Sequence, residues 1–103
     1  MKRLDACLKL TLPRALEARI LDYLLQHPQW VGPFITLQVE GHGDPGRIES
    51  PAEQVRGRAE RVQIEILMDT NHVDDLLREL RAELPSGDVV WRLSPVTAAG
   101  TLA

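Results

Sequence analysis

Gly41, His42, Gly43 and Gly46 open a polar stretch that closes on Arg56, Arg58 and Arg61, with Arg47 between them. Glycine lets backbone N–H groups approach an anion closely, and arginine adds charge-assisted contacts to phosphate or carboxylate. Arg58 and Arg61 carry most weight, because a strand following the stretch would hold them rigidly at its base. A plainer arrangement fits the same residues: a tight turn, then a solvated loop whose Asp44, Glu49, Glu53 and Glu60 balance the arginines. Both readings stay open at this level. His42, set between two glycines, is the best-placed side chain for a transition metal, with Glu40 and Asp44 close enough in sequence to help. One histidine and two carboxylates lack the spacing of established zinc sites, so ligands shared between subunits would have to complete the set. His27 and His72 fall at helix ends, where capping or exposure accounts for them.

Catalytic groupings are missing. The chain has no serine–histidine–acid set in readable context, no paired carboxylates in an apolar setting and no phosphate-binding P-loop, so the expectation is a protein that is not an enzyme. Trp30 and Trp91 are expected in the core or at an interface, since basic residues do not cluster around them as in a base-stacking platform. The formal net charge of −3 provides no basic face for nucleic acid. Short apolar runs broken by charges argue against membrane insertion, and Asp5 and Lys9 interrupt any export signal after Met1-Lys2-Arg3. Cys7 is the only cysteine, which rules out a disulfide within the chain and makes the cytoplasm the expected location. A small buried or interface side chain is the expected role for Cys7.

These residues need elements to position them. Leu4, Ala6, Leu8 and Leu10 alternate with Asp5, Cys7, Lys9 and Thr11, which predicts a first strand with one face in the core. Pro13 suits the first turn of a helix, and Leu16, Ile20, Leu21, Leu24 and Leu25 repeat at helical spacing until Pro28. A second strand is expected around Ile35, Leu37 and Val39 on a shared face, and a third around Val62, Ile64, Ile66 and Met68. Asp69 or Thr70 caps the next helix, whose apolar set is Val73, Leu76, Leu77, Leu80 and Leu84. Pro85-Ser86-Gly87-Asp88 ends it, and a fourth strand runs from Val89 to Leu93. At 103 residues this is one domain spanning 1–103, with a long loop at about 43–60 and a tail at 96–103. The element order predicts an α+β, ferredoxin-like split βαβ fold (βαββαβ), an antiparallel four-stranded sheet with two helices on one face. The other sheet face is expected to carry Cys7, Lys9, Thr11, Thr36, Gln38, Gln63, Glu65, Val90 and Arg92, either open to water or pairing Lys9, Glu65 and Arg92 across strands or subunits.

Val39-Glu40-Gly41-His42-Gly43, the spacing to Gly46, Arg61-Val62-Gln63-Ile64-Glu65-Ile66 and the ending Trp91-Arg92-Leu93-Ser94-Pro95-Val96 resemble the PII signalling proteins. The Gly-His-Gly turn, Glu53-Gln54-Val55-Arg56-Gly57-Arg58 and the Ser-Pro-Val ending are similar to a small proteobacterial PII-like family, commonly encoded near heavy-metal efflux pumps. The resemblance covers nearly the whole chain. It implies a cytoplasmic homotrimer whose sheets face its centre, with an effector, either an adenine nucleotide or another anion, in clefts between subunits. The effector residues would be Gly41, His42, Gly43, Gly46, Arg58 and Arg61. Arg47, Glu53, Gln54 and Arg56 would lie on the partner-binding loop, and a membrane transporter is the implied partner. An alternative is a transition-metal-binding accessory protein using His42, and a third is an interaction domain without a ligand. The chain departs from standard PII proteins at Pro85-Ser86-Gly87-Asp88 and Ala99-Gly100-Thr101-Leu102-Ala103, which lack the lysine and arginine that hold nucleotide phosphates. Its only tyrosine is Tyr23, outside the loop, and Asp44-Pro45 replaces the glutamine that helps hold magnesium and 2-oxoglutarate. Those departures argue against ordinary nitrogen sensing.

Overall fold

Ala6, Leu8, Leu10 and Leu12 are buried while the residues between them are only half-buried, so the first run folds as strand β1 (Ala6–Pro13) with one face in the core. The structure is a computed structural model that describes residues 3–42, 58–84 and 87–103. Pro13 ends β1 and precedes a 3₁₀ turn, Arg14–Leu16, which leads into helix α1 (Glu17–Leu25). Strands β2 (Phe34–His42) and β3 (Arg58–Met68) follow. A second 3₁₀ turn at Thr70–His72 precedes helix α2 (Val73–Glu83), and β4 (Val90–Pro95) completes the order. The sheet is antiparallel with strand order β2-β3-β1-β4, as the ferredoxin-like expectation requires.

Ile20 and Leu24 of α1 and Val73, Leu76, Leu77 and Leu80 of α2 share one core with the inward residues of β1 and β3. Burial of these side chains, at about 1.5–3 kcal/mol each, is the main force holding the helices to the sheet. Asp69 starts the second helical segment by accepting the Asn71 N–H at 2.9 Å, which holds its carboxyl below the usual carboxylate range. Asp74 and Asp75 in the first turn of α2 suit the positive end of its dipole. Arg19 donates to the Glu83 carbonyl at 3.0 Å and ties α1 to the end of α2.

Two expectations are corrected here. Leu25, expected in the core, is 68% exposed, because α1 ends there and turns the residue outward. Strand β2 faces the opposite way from the reading of Ile35, Leu37 and Val39 as core residues. These pair with Glu65, Gln63 and Arg61 and so lie on the face away from the helices, whereas Thr36 and Gln38 pair with the buried Ile64 and Val62. Alternation alone cannot choose between these registers on an edge strand, and a slip of one residue turns every side chain over. The choice is made upstream. Phe34 packs on the core, the Pro33 carbonyl accepts the Leu67 N–H at 2.9 Å, and a Cβ at Gly32 would collide with the Leu67 carbonyl oxygen.

Candidate effector site at the end of the β2–β3 ribbon

Strands β2 and β3 pair further than β1 follows them. Pro13 pairs with Arg61, and beyond it Glu40↔Glu60, Gly41↔Ala59 and His42↔Arg58 continue as a two-stranded ribbon. Residues 58–60, expected in the loop, are therefore strand, and so are Gly41 and His42, expected in a turn. Cross-strand hydrogen bonding outlasts the core at this end because each new pair satisfies its neighbour's backbone.

The ribbon places His42 opposite Arg58 in the register. His42 Nε2 lies 3.8 Å from Glu40 Oε2, an ion pair when the imidazole is protonated, and both side chains are exposed. Glu60, opposite Glu40, accepts from Arg14 Nη1 at 3.3 Å, so the ribbon draws the first residue of the 3₁₀ turn into the same charged patch. Arg61 is on the other sheet face, opposite Val39 and Pro13, and donates to the Glu60 carbonyl at 3.2 Å. Gly41, His42, Arg58 and Arg61 thus converge on one end of the hairpin, with Arg61 and His42 on opposite faces. Gly43, Asp44, Gly46, Arg47, Glu53, Gln54 and Arg56 lie outside the described residues.

Among the described residues, no group of three histidine, cysteine, aspartate or glutamate side chains is arranged to hold a metal ion. His27 packs between Tyr23 and Trp30, with ring centroids 4.3 and 5.6 Å away, and its Nδ1 is 3.1 Å from Gln29 Nε2. His72 closes the 3₁₀ turn before α2. Both are accounted for by local structure.

The sheet face away from the helices differs from the mixed polar surface expected of it. Ile35, Glu65, Lys9 and Arg92 form one row across the four strands, and Leu37, Gln63, Thr11 and Val90 form the next. Ile35 and Val90 are 59% and 49% exposed, and Leu37 is also exposed. Among the described residues, Lys9, Glu65 and Arg92 make no ion pair within the chain. Cys7 is half-buried on this face, between Leu67 and Ser94 in the register. The sequence signal for this surface was the apolar side of β2, read as core because the alternation was clear and its direction was not.

A protein-family model described as "Protein of unknown function (DUF3240)" matches residues 3–103. The chain belongs to this family. Among solved structures, this DUF3240 chain is similar to a DUF3240 family protein from Shewanella baltica OS155, with 18% identity, a TM-score of 0.76 and coverage of 98% of this chain and 99% of that one. It is similar also to CPII, a nitrogen regulatory PII-like protein from Thiomonas intermedia K12 solved with ADP, AMP and bicarbonate; identity is 14%, the TM-score 0.69, and coverage 99% and 100%. The GlnK–ATP complex of B. subtilis matches at 20% identity and a TM-score of 0.65, over 89% of this chain and 81% of that one. No curated protein matches the chain. The fold is therefore that of the PII-like proteins. No helix among the described residues is long and apolar enough to cross a membrane.

Proposed function

We propose that this protein is a non-enzymatic, cytoplasmic PII-like regulator that assembles as a homotrimer and binds a small anionic effector at the base of its long loop. The observation that carries the reading is the β2–β3 ribbon, which extends past β1 and brings Gly41, His42, Arg58 and Arg61 to its far end. A paired ribbon is a rigid mount, so an anion held there can bias the segment beyond it. Structural neighbours solved with ATP, or with ADP, AMP and bicarbonate, support an adenine nucleotide or another anion as the effector class. The loop, with Arg47, Glu53, Gln54 and Arg56, is the partner-binding element in this reading, and a membrane transporter such as a heavy-metal efflux system is the partner.

The sheet face away from the helices supports the trimer in this reading. Exposed Ile35, Leu37 and Val90 beside Lys9, Glu65 and Arg92 make a surface with apolar area to bury and both signs of charge to pair. Further copies of the same chain supply both complements around a closed ring.

Sedimentation and calorimetric titration test the reading together. The expected result is a trimer that binds one of ATP, ADP, AMP or a cyclic nucleotide, with affinity falling about tenfold or more in Arg58→Ala and Arg61→Ala, the loss of one charge-assisted contact. A strict monomer, or no response to any nucleotide with both substitutions silent in partner binding, overturns it. Titration with Zn²⁺, Cu²⁺ and Ni²⁺ addresses the metal-accessory alternative, for which Glu40, 3.8 Å from His42, is a candidate second ligand. Metal binding that survives His42→Ala excludes that alternative as stated.

A further inference from the structure

On the helix side, at the sheet edge farthest from the loop base, the core is not closed. Among the described residues strand β4 pairs with β1 alone, and its inward residues stay open on the helix side: Trp91, paired with the buried Leu10, remains 44% exposed. A cleft of about 150 Å³ opens there, with Leu10 as its floor, Ile20 of α1 on one side, Leu77, Leu80 and Leu84 at the end of α2, and Trp91 with Val89 closing the edge. An apolar cavity on the order of 150 Å³ is large enough for a benzene ring. Apart from Arg81, its walls are aliphatic with the Trp91 indole, so it favours a flat or branched apolar group.

One lining residue carries a charge. Arg81 sits in the last turn of α2 with its side chain exposed, and makes no hydrogen bond or ion pair with any described residue. Glu79 and Glu83 lie close enough to Tyr23 to help push its hydroxyl pKa up, and the Glu83 carbonyl is taken by Arg19. A guanidinium at the rim of an apolar cleft selects for a carboxylate on the ligand, because it offers paired N–H donors in a geometry the carboxylate matches.

We infer that this cleft binds a small carboxylate bearing an aromatic or branched apolar group, with the apolar group against Trp91, Leu80 and Leu84 and the carboxylate on Arg81. The site is separate from the loop base: it is built on β1, β4 and the helices, whereas the loop base is built on the β2–β3 ribbon at the other edge of the sheet, and it uses none of the same residues. Its success or failure is therefore independent of nucleotide binding.

Benzoate and phenylacetate are the probes, with benzyl alcohol as the neutral comparison. Of the two tryptophans, Trp91 is isolated for fluorescence by Trp30→Phe. In the unaltered chain the Trp91 indole N–H resonance gives the same readout if that substitution disturbs folding. Saturable changes with both acids are expected in the millimolar range appropriate to so few atoms. Arg81→Gln should weaken the acids about tenfold and leave benzyl alcohol unchanged, which separates the charge contact from packing. Leu84→Phe, its fold checked by circular dichroism, should reduce binding of all three by filling the cleft. No saturable change up to about 100 mM, past that range, or equal benzoate affinity in Arg81→Gln, overturns the proposal.

Discussion

The two edge strands leave apolar side chains exposed in opposite directions. Strand β2 presents Ile35 and Leu37 on the face away from the helices, while β4 presents Trp91 and Leu93 on the helix side. The chemistry around them differs as well. Near β2 the apolar residues join a broad surface with Lys9, Glu65 and Arg92 that spans the sheet, which suits another protein surface. Beside Trp91 they line a concave cleft with one arginine, which suits a small molecule. An exposed apolar residue thus has no fixed meaning; the shape and charge around it decide what it can receive.

The largest effect should come from breaking the register that turns β2 outward. Gly32→Ala places a methyl group into the Leu67 carbonyl, which is backbone and cannot swing aside, so a loss of roughly 3 kcal/mol or more is expected by chemical denaturation. A loss under about 0.5 kcal/mol, the scatter of ordinary surface changes, would mean β2 is held by something else.

Neighbouring residues of β4 separate the two surfaces next. Val90→Asp puts a charge on the face away from the helices and should weaken self-association at least tenfold in sedimentation, leaving benzoate binding intact. Trp91→Ser should do the reverse. If either substitution abolishes both properties in a folded protein, the two surfaces are not independent.

Alkali sharpens the comparison on the helix side. Burial, and then the negative charges of Glu79 and Glu83, push the Tyr23 hydroxyl pKa up from its ordinary value, and that hydroxyl is buried without a hydrogen-bond partner among the described residues. The fold therefore holds the neutral form. Its contribution to stability is complete below the unfolded pKa of about 10 and is lost as the pH rises through the higher folded value. Tyr23→Phe should remove this alkaline loss and, by deleting an unsatisfied polar atom, cost under about 1 kcal/mol at neutral pH. An unchanged alkaline unfolding curve would place the sensitive group elsewhere. The smallest effect is expected from Arg14→Ala: its contact with Glu60 is exposed on both sides, so unfolding stability should fall by no more than about 1 kcal/mol, and less in salt, by chemical denaturation.

Legibility in the sequence followed burial. Strands β1 and β3 and helix α2 have a strongly apolar side facing the core, and their alternation or helical spacing could be read directly. Edge strand β2 touches the core through Phe34, so its pattern was visible but its orientation was not. At the candidate site the sequence brought Gly41, His42, Arg58 and Arg61 to one place, yet left His42 and Gly41 in a turn and could not divide Arg61 from His42. That division depends on strand pairing continuing past β1, a property of the partner strand rather than of local composition. The cleft beside Trp91 could not be read at all, because it exists only through what the helices fail to cover.

Asp5 has a reach that its position before β1 does not suggest. Its carbonyl accepts the Val96 N–H at 3.0 Å, and its carboxylate accepts the Thr70 N–H at 2.9 Å. One residue thereby clasps the approach to α2 and the departure of the chain after β4. Residues remote in sequence then share a single opening event, and the Thr70 and Val96 amides should exchange their hydrogens with solvent in concert. What leaves the body at Val96 is therefore anchored at its root, so a pull on the tail is felt first at Asp5 and the start of α2.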